Sequence, residues 1–141
     1  MDKTTFEDYI RRFNARDVTA FDDYIHPDLH MMNGTLEFHG LQGMKDHYQQ
    51  HIWTTFSESL HVPRFVSEGD TVAIQMRTHF EAEVDNDASL FGPVRKGETF
   101  DFNGLIMYRL EDGKFIDIQV AYNSFVYTNS RGEQTSLGIP H

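Results

Sequence analysis

Phe6, Tyr9, Ile10 and Phe13 recur at i, i+3, i+4 and i+7, the spacing of one apolar helical face, and predict a helix over residues 5–15. Thr4-Thr5-Phe6-Glu7 at its start has the spacing of a capping box. Asp17 can cap a second helix that buries Val18, Phe21, Tyr24 and Ile25. His26-Pro27 stops it, because the residue before a proline is biased out of helical backbone. Residues 29–33 and 35–39 read as two short strands around Asn33-Gly34, a preferred pair for a two-residue hairpin turn. A third helix is expected from about Leu41 to about Trp53, burying Met44, His47, Tyr48, His51 and Ile52.

Beyond residue 57 the period changes to two. Strands are predicted over residues 58–67, 71–84, 98–110 and 114–127, with turns at Glu68-Gly69 and Asp112-Gly113 and a long acidic loop at 85–97. In the second of these strands Ile74, Met76, Thr78 and Phe80 share the inner face, while Gln75, Arg77, His79 and Glu81 face outward. The same parity groups Phe100, Phe102, Gly104, Ile106 and Tyr108, and then Ile118, Val120 and Tyr122 opposite Asp117, Gln119 and Asn123. Residues 1–127 therefore read as one α+β domain. Residues 128–141, poor in apolar side chains, read as a loosely held tail.

A chain of 141 residues has length for one real core, since a domain of this size buries roughly 70% of its unfolded surface. A net charge of -10 argues against nucleic acid and anionic membranes as partners, both of which select for clustered Lys and Arg. With no cysteine there is no thiol nucleophile, thiolate metal site or disulfide framework. No apolar run approaches the length needed to span a bilayer, and Met1-Asp2-Lys3-Thr4 leads straight into an amphipathic helix, so a cytoplasmic protein is expected.

Two capped helices, a hairpin, a third helix and a run of long alternating strands, ending in Tyr108-Arg-Leu-Glu-Asp-Gly-Lys-Phe-Ile, resemble the NTF2-like superfamily over about residues 5–125. The closing strand-turn-strand looks like that of its SnoaL-like polyketide cyclase and ketosteroid isomerase branches. The resemblance implies a cone-shaped α+β fold, with three N-terminal helices on a strongly curved, mostly antiparallel sheet around an apolar pocket, and commonly a homodimer. In the isomerase branch a tyrosine of the first helix donates to a developing oxyanion, and Tyr9-x3-Phe-Asn-Ala-x-Asp17 puts Tyr9 there. The general base of that branch falls on Asn33 and its second donor on Ile106; the cyclase aspartate and its histidine partner fall on Val120 and Ile106. None of these three can transfer a proton.

The remaining candidates for proton transfer are His47 and His51, one helical turn apart, because imidazole titrates near neutral pH. Tyr9, His47 and His51 are the predicted catalytic set. Phe13 on the first helix, Met31 and Asn33 on the hairpin and Trp53 near the end of the third helix are expected to line the pocket. The sheet is expected to add Ile74, Met76, Thr78, Phe102, Ile106, Ile118, Val120 and Tyr122. His47-x3-His51 supplies two possible metal ligands, with His30, His39 or Asp46 as a third, but no motif marks that third ligand, and no metal site is assigned. The expected activity is isomerisation, cyclisation or dehydration of a small hydrophobic cyclic carbonyl compound by proton transfer, which needs no organic cofactor. The competing reading is a non-catalytic binding or interaction module of the same fold.

Overall fold

A computed structural model describes residues 1–138. Helix α1 spans Lys3–Asn14 and buries Phe6, Tyr9, Ile10 and Phe13. Its cap is Asp2, not the Thr4 box: the Asp2 carboxylate accepts from the Thr5 backbone N–H at 2.8 Å. Asp17 accepts from the Thr19 backbone N–H at 3.0 Å just ahead of helix α2, Thr19–Tyr24. The chain then enters strand β1, Ile25–Asn33, so that Ile25, His26 and Pro27 are already strand and not helix end. Arg12 ties the two helices together, reaching Asp23 at 2.7 Å and Asp17 at 3.0 Å.

Strand β2, Leu36–His39, completes the hairpin, with Asn33 paired to Leu36. The turn is therefore Gly34-Thr35, one residue later than the sequence suggests, and Gly34 supplies its positive φ of 60°. Helix α3, Gly40–Asp46, continues into a π-helical turn, His47–Ile52, where the Trp53 N–H donates to the Tyr48 carbonyl five residues back at 2.8 Å. The wider turn keeps His47, Tyr48 and Ile52 buried and rotates His51 into solvent, so the expected pairing of the two histidines on one buried face does not occur.

Strands β3 (Phe56–Glu68) and β4 (Thr71–Ala82) form a long antiparallel pair. The segment expected to be an acidic loop holds a small hairpin, β5 (Asn86–Ser89) and β6 (Gly92–Val94). Strands β7 (Thr99–Glu111) and β8 (Lys114–Thr128) follow. Part of the tail expected to be loosely held, 128–141, is a strand, β9 (Gln134–Ser136), paired with the end of β8; the tail's last three residues, 139–141, lie outside the described residues.

The main sheet runs β2-β1-β8-β7-β4-β3, antiparallel except for β1 beside β8. Helix α1 packs on β3, α2 on β1 and β8, and α3 on β1 and β2. Register shifts in the β3–β4 and β7–β8 ladders bend the sheet over the helices. At the bulge between Asn103 and Gly104 the backbones of β7 and β8 close to a distance only glycine permits, since a Cβ on Gly104 would meet the Ala121 carbonyl oxygen.

The core is aromatic at both ends. Phe6, Tyr9, Tyr24, Tyr108 and Phe115 interlock beneath the helices, and Phe56, Phe80, Phe91, Phe100 and Phe125 interlock under the small hairpin. Phe91 comes from the segment expected to be loop, which is how that segment caps the sheet. No helix among the described residues is long and apolar enough to cross a membrane.

Candidate functional site

A cavity of about 300 Å³ lies between the two aromatic clusters and is walled by members of both. Its exposed lining residues are Gly34, Thr35 and Leu90, so it opens between the two hairpin turns. Of the residues expected there, Tyr9, Phe13, Met31, Asn33, His47, Met76, Thr78, Phe102, Ile106, Ile118, Val120 and Tyr122 contribute to the wall. His51, Trp53 and Ile74 do not. His51 is turned outward by the π turn, and Trp53 stacks on Phe21 with ring centroids 5.9 Å apart. Ile74 has the inner parity and is buried, in the part of the sheet beyond the cavity wall.

The wall is not purely apolar. Glu58, 8% exposed, lines the cavity from β3 between the inner-facing Phe56 and Leu60. Asn14 fixes that strand to α1 by a double hydrogen bond to Leu60, accepting from its N–H at 2.8 Å and donating to its carbonyl at 2.9 Å. Burial, with no compensating partner, raises the Glu58 pKa to about 8. Among the described residues no buried polar side-chain atom is sealed away without a hydrogen-bond partner, so the Glu58 carboxyl opens into the cavity.

Three tyrosines share this space. Tyr9, Tyr48 and Tyr108 line the cavity and are buried, and burial in the first place, with the nearby Glu58 charge contributing, holds each phenol pKa above its ordinary value. They remain neutral hydrogen-bond donors at any physiological pH. His47 is buried at the wall, stacked on Phe38 at 5.1 Å and edge-on to Tyr48 at 4.9 Å. Burial first, and His51 second, lower its pKa to about 4, so its imidazole is neutral near pH 7. Of Glu58 and His47, Glu58 has the shifted pKa closer to neutral pH.

Sequence reasoning passed over Glu58 although the signal was present. Phe56, Glu58 and Leu60 share one parity, and a carboxylate on the inner face of a strand breaks the pattern of apolar side chains. Asn33, Ile106 and Val120, on which the resemblance places the acting groups of the isomerase and cyclase branches, form part of the wall.

Solved structures with this fold include a SnoaL-like polyketide cyclase candidate from Jannaschia, 16% identical with a TM-score of 0.65 over 86% of this chain and 90% of that one. An epoxide hydrolase of the LEH-like type from M. tuberculosis is 12% identical, with a TM-score of 0.63 over 84% and 79%. A computationally designed 17-OHP binder is 14% identical, with a TM-score of 0.65 over 91% and 92%. No curated protein sequence matches the chain. The family model described as SnoaL-like domain matches residues 6–118, most of the chain, and the protein belongs to that family.

Proposed function

We propose that the protein is an acid–base enzyme acting on a small hydrophobic cyclic carbonyl compound, with Glu58 as the proton-transfer group. The observation that carries this reading is a carboxyl group opening into an apolar cavity with its pKa raised to about 8. A general base works best when its pKa lies near the operating pH, and such groups contribute about 10²–10⁴-fold to rate. In this role the ionised Glu58 takes a proton from the carbon next to the carbonyl. The electron pair of that C–H bond moves onto the carbonyl oxygen, and Glu58 returns the proton at the same or a neighbouring carbon. Tyr9 donates a hydrogen bond to the oxygen as charge develops on it. Tyr48 and Tyr108 shape the cavity around the ligand, and the neutral His47 offers an uncharged contact at the wall.

The volume limits the ligand. Benzene fits an engineered cavity of about 150 Å³, so about 300 Å³ suits a compact ligand of one or two rings. The reading includes a homodimer joined through the outer face of the sheet, where Leu105 and Met107 are 58% and 57% exposed side by side on β7.

The test is solvent-deuterium exchange next to the carbonyl in a panel of small cyclic ketones and enones, followed by NMR. Exchange by the wild-type protein that Glu58→Gln slows at least 100-fold supports the reading. Binding of the same compounds with no exchange favours the ligand-binding module.

A further inference from the structure

We propose that the outer face of the β1–β2 hairpin binds one divalent transition-metal ion, with His30, Glu37 and His39 as ligands and Asp117 as a positioning residue. This face is remote from the chemistry of the cavity, because His30 has the opposite strand parity to Met31, which lines the cavity.

The hairpin register assembles the donors. His30 stands directly opposite His39, and Glu37 opposite Met32, so all three ligands project from one face within two residue steps. The two imidazole rings stack with centroids 5.1 Å apart, and one donor atom from each of the three side chains lies within 4.8 Å of the others. Donors around a tetrahedral ion at ordinary bond lengths of about 2.0–2.2 Å are separated by about 3.4 Å. Glu37 and His39 are exposed and need only small rotations to reach that spacing.

His30 is held as a ligand imidazole would be. Its Nδ1 lies 2.8 Å from Asp117 Oδ1, and Gln119 Nε2 donates to the other Asp117 oxygen at 3.0 Å. Asp117 is on β8, paired in parallel with β1 at His30, so the carboxylate is fixed by the sheet and not by a flexible loop. A metal-bound histidine typically donates its second ring nitrogen to such a carboxylate, which fixes the tautomer and aims the free nitrogen at the ion. Here the other ring nitrogen, Nε2, is hydrogen-bonded to the Glu37 carboxylate at 2.8 Å, a bond that the ion would replace as both groups turn to it. Two imidazoles and one carboxylate suit Zn²⁺, Ni²⁺ or Cu²⁺ in preference to Mg²⁺ or Ca²⁺, and three protein ligands leave a coordination position open to water or an external ligand. Strand β2 is an edge of the sheet, so solvent reaches the site.

Isothermal titration calorimetry of chelator-treated protein with ZnCl₂ tests the site. One Zn²⁺ per chain is expected, with a dissociation constant at or below the micromolar range. His30→Ala, His39→Ala and Glu37→Gln should each weaken binding at least tenfold. Asp117→Asn should weaken it about 10–100-fold while the metal-free melting temperature is retained, with Asp117→Glu recovering part of the loss. MgCl₂ should give no binding heat, and His51→Ala and His79→Ala, which alter the histidines of other surfaces, should leave Zn²⁺ affinity unchanged. No Zn²⁺ binding below about 100 μM, or binding that survives loss of His30 and His39, overturns the proposal. Neither result bears on Glu58, whose titration is read separately.

Discussion

Glu58 on β3 stands directly opposite Phe80 on β4, and both side chains face the cavity. A phenyl ring as cross-strand neighbour gives the carboxyl no hydrogen bond, so desolvation acts on Glu58 uncompensated and raises its pKa to about 8. Glu98 is buried to a similar degree with the opposite outcome. Desolvation pushes it upward too, but it accepts from the Arg95 N–H at 2.8 Å and the Ser130 N–H at 3.0 Å, and hydrogen bonds hold its pKa below the ordinary value. Glu98 ties the end of the sheet together, whereas Glu58 has no such hydrogen-bond partners.

Stability should record this difference. Because Glu58 binds its proton more tightly in the folded state, its contribution is full below pH 4.5 and is lost as pH rises towards 8, at about 1.4 kcal/mol per pH unit. His47 acts in the opposite sense, its contribution being lost as pH falls from 6.5 to about 4. Between pH 4.5 and 6.5 the two slopes offset each other; above 6.5 Glu58 alone remains of this pair. From pH 6.5 to 8 the wild-type protein should lose about 2 kcal/mol relative to Glu58→Gln in denaturant titrations. Parallel curves for the two proteins over that range would contradict it.

The histidine should titrate where its burial dictates. NMR of the His47 ring should give a midpoint near 4, and His51→Ala should raise it slightly by removing a neighbouring positive charge. A midpoint near 6.5 would mean that the ring is solvated and the π turn is placed differently.

The long strands were legible in the sequence because their alternation is regular: Ile74, Met76, Thr78 and Phe80 read inward from parity alone, as did Ile106, Ile118 and Val120. The errors have local physical causes. His51 still neighbours His47, with ring centroids 6.4 Å apart, but the wider turn marked by the five-residue hydrogen bond from Trp53 to Tyr48 carries it past the buried face where α-helical spacing would put it. β3 was started at residue 58, which hid the Phe56–Glu58–Leu60 parity and with it the buried carboxyl. The small hairpin was read as loop because Asn86, Gly92 and Pro93 are turn formers and its apolar residues do not alternate, although Phe91 closes one end of the core.

Gly104 should tolerate no side chain. A Cβ there would sit 2.5 Å from Tyr122 Cα as well as against the Ala121 carbonyl, so Gly104→Ala must push β7 and β8 apart beside the cavity. A loss of about 1–3 kcal/mol is expected, measured as a fall in melting temperature. An unchanged melting temperature would contradict the close approach at this bulge.

The proposed dimer makes a separate prediction. Leu105→Lys with Met107→Lys should convert a dimer into a monomer in sedimentation velocity at micromolar concentration, since paired lysines on that face repel and resist burial. A wild-type monomer at the same concentration would remove the dimer.

The proposed proton transfer requires one buried carboxyl group, that of Glu58, to titrate near neutral pH. Carboxyl ¹³C NMR of protein labelled at glutamate, with the Glu58 signal assigned by its absence from Glu58→Gln, measures this directly. A Glu58 midpoint near 8 is the predicted result; a midpoint near the ordinary value of 4.5 would contradict the account.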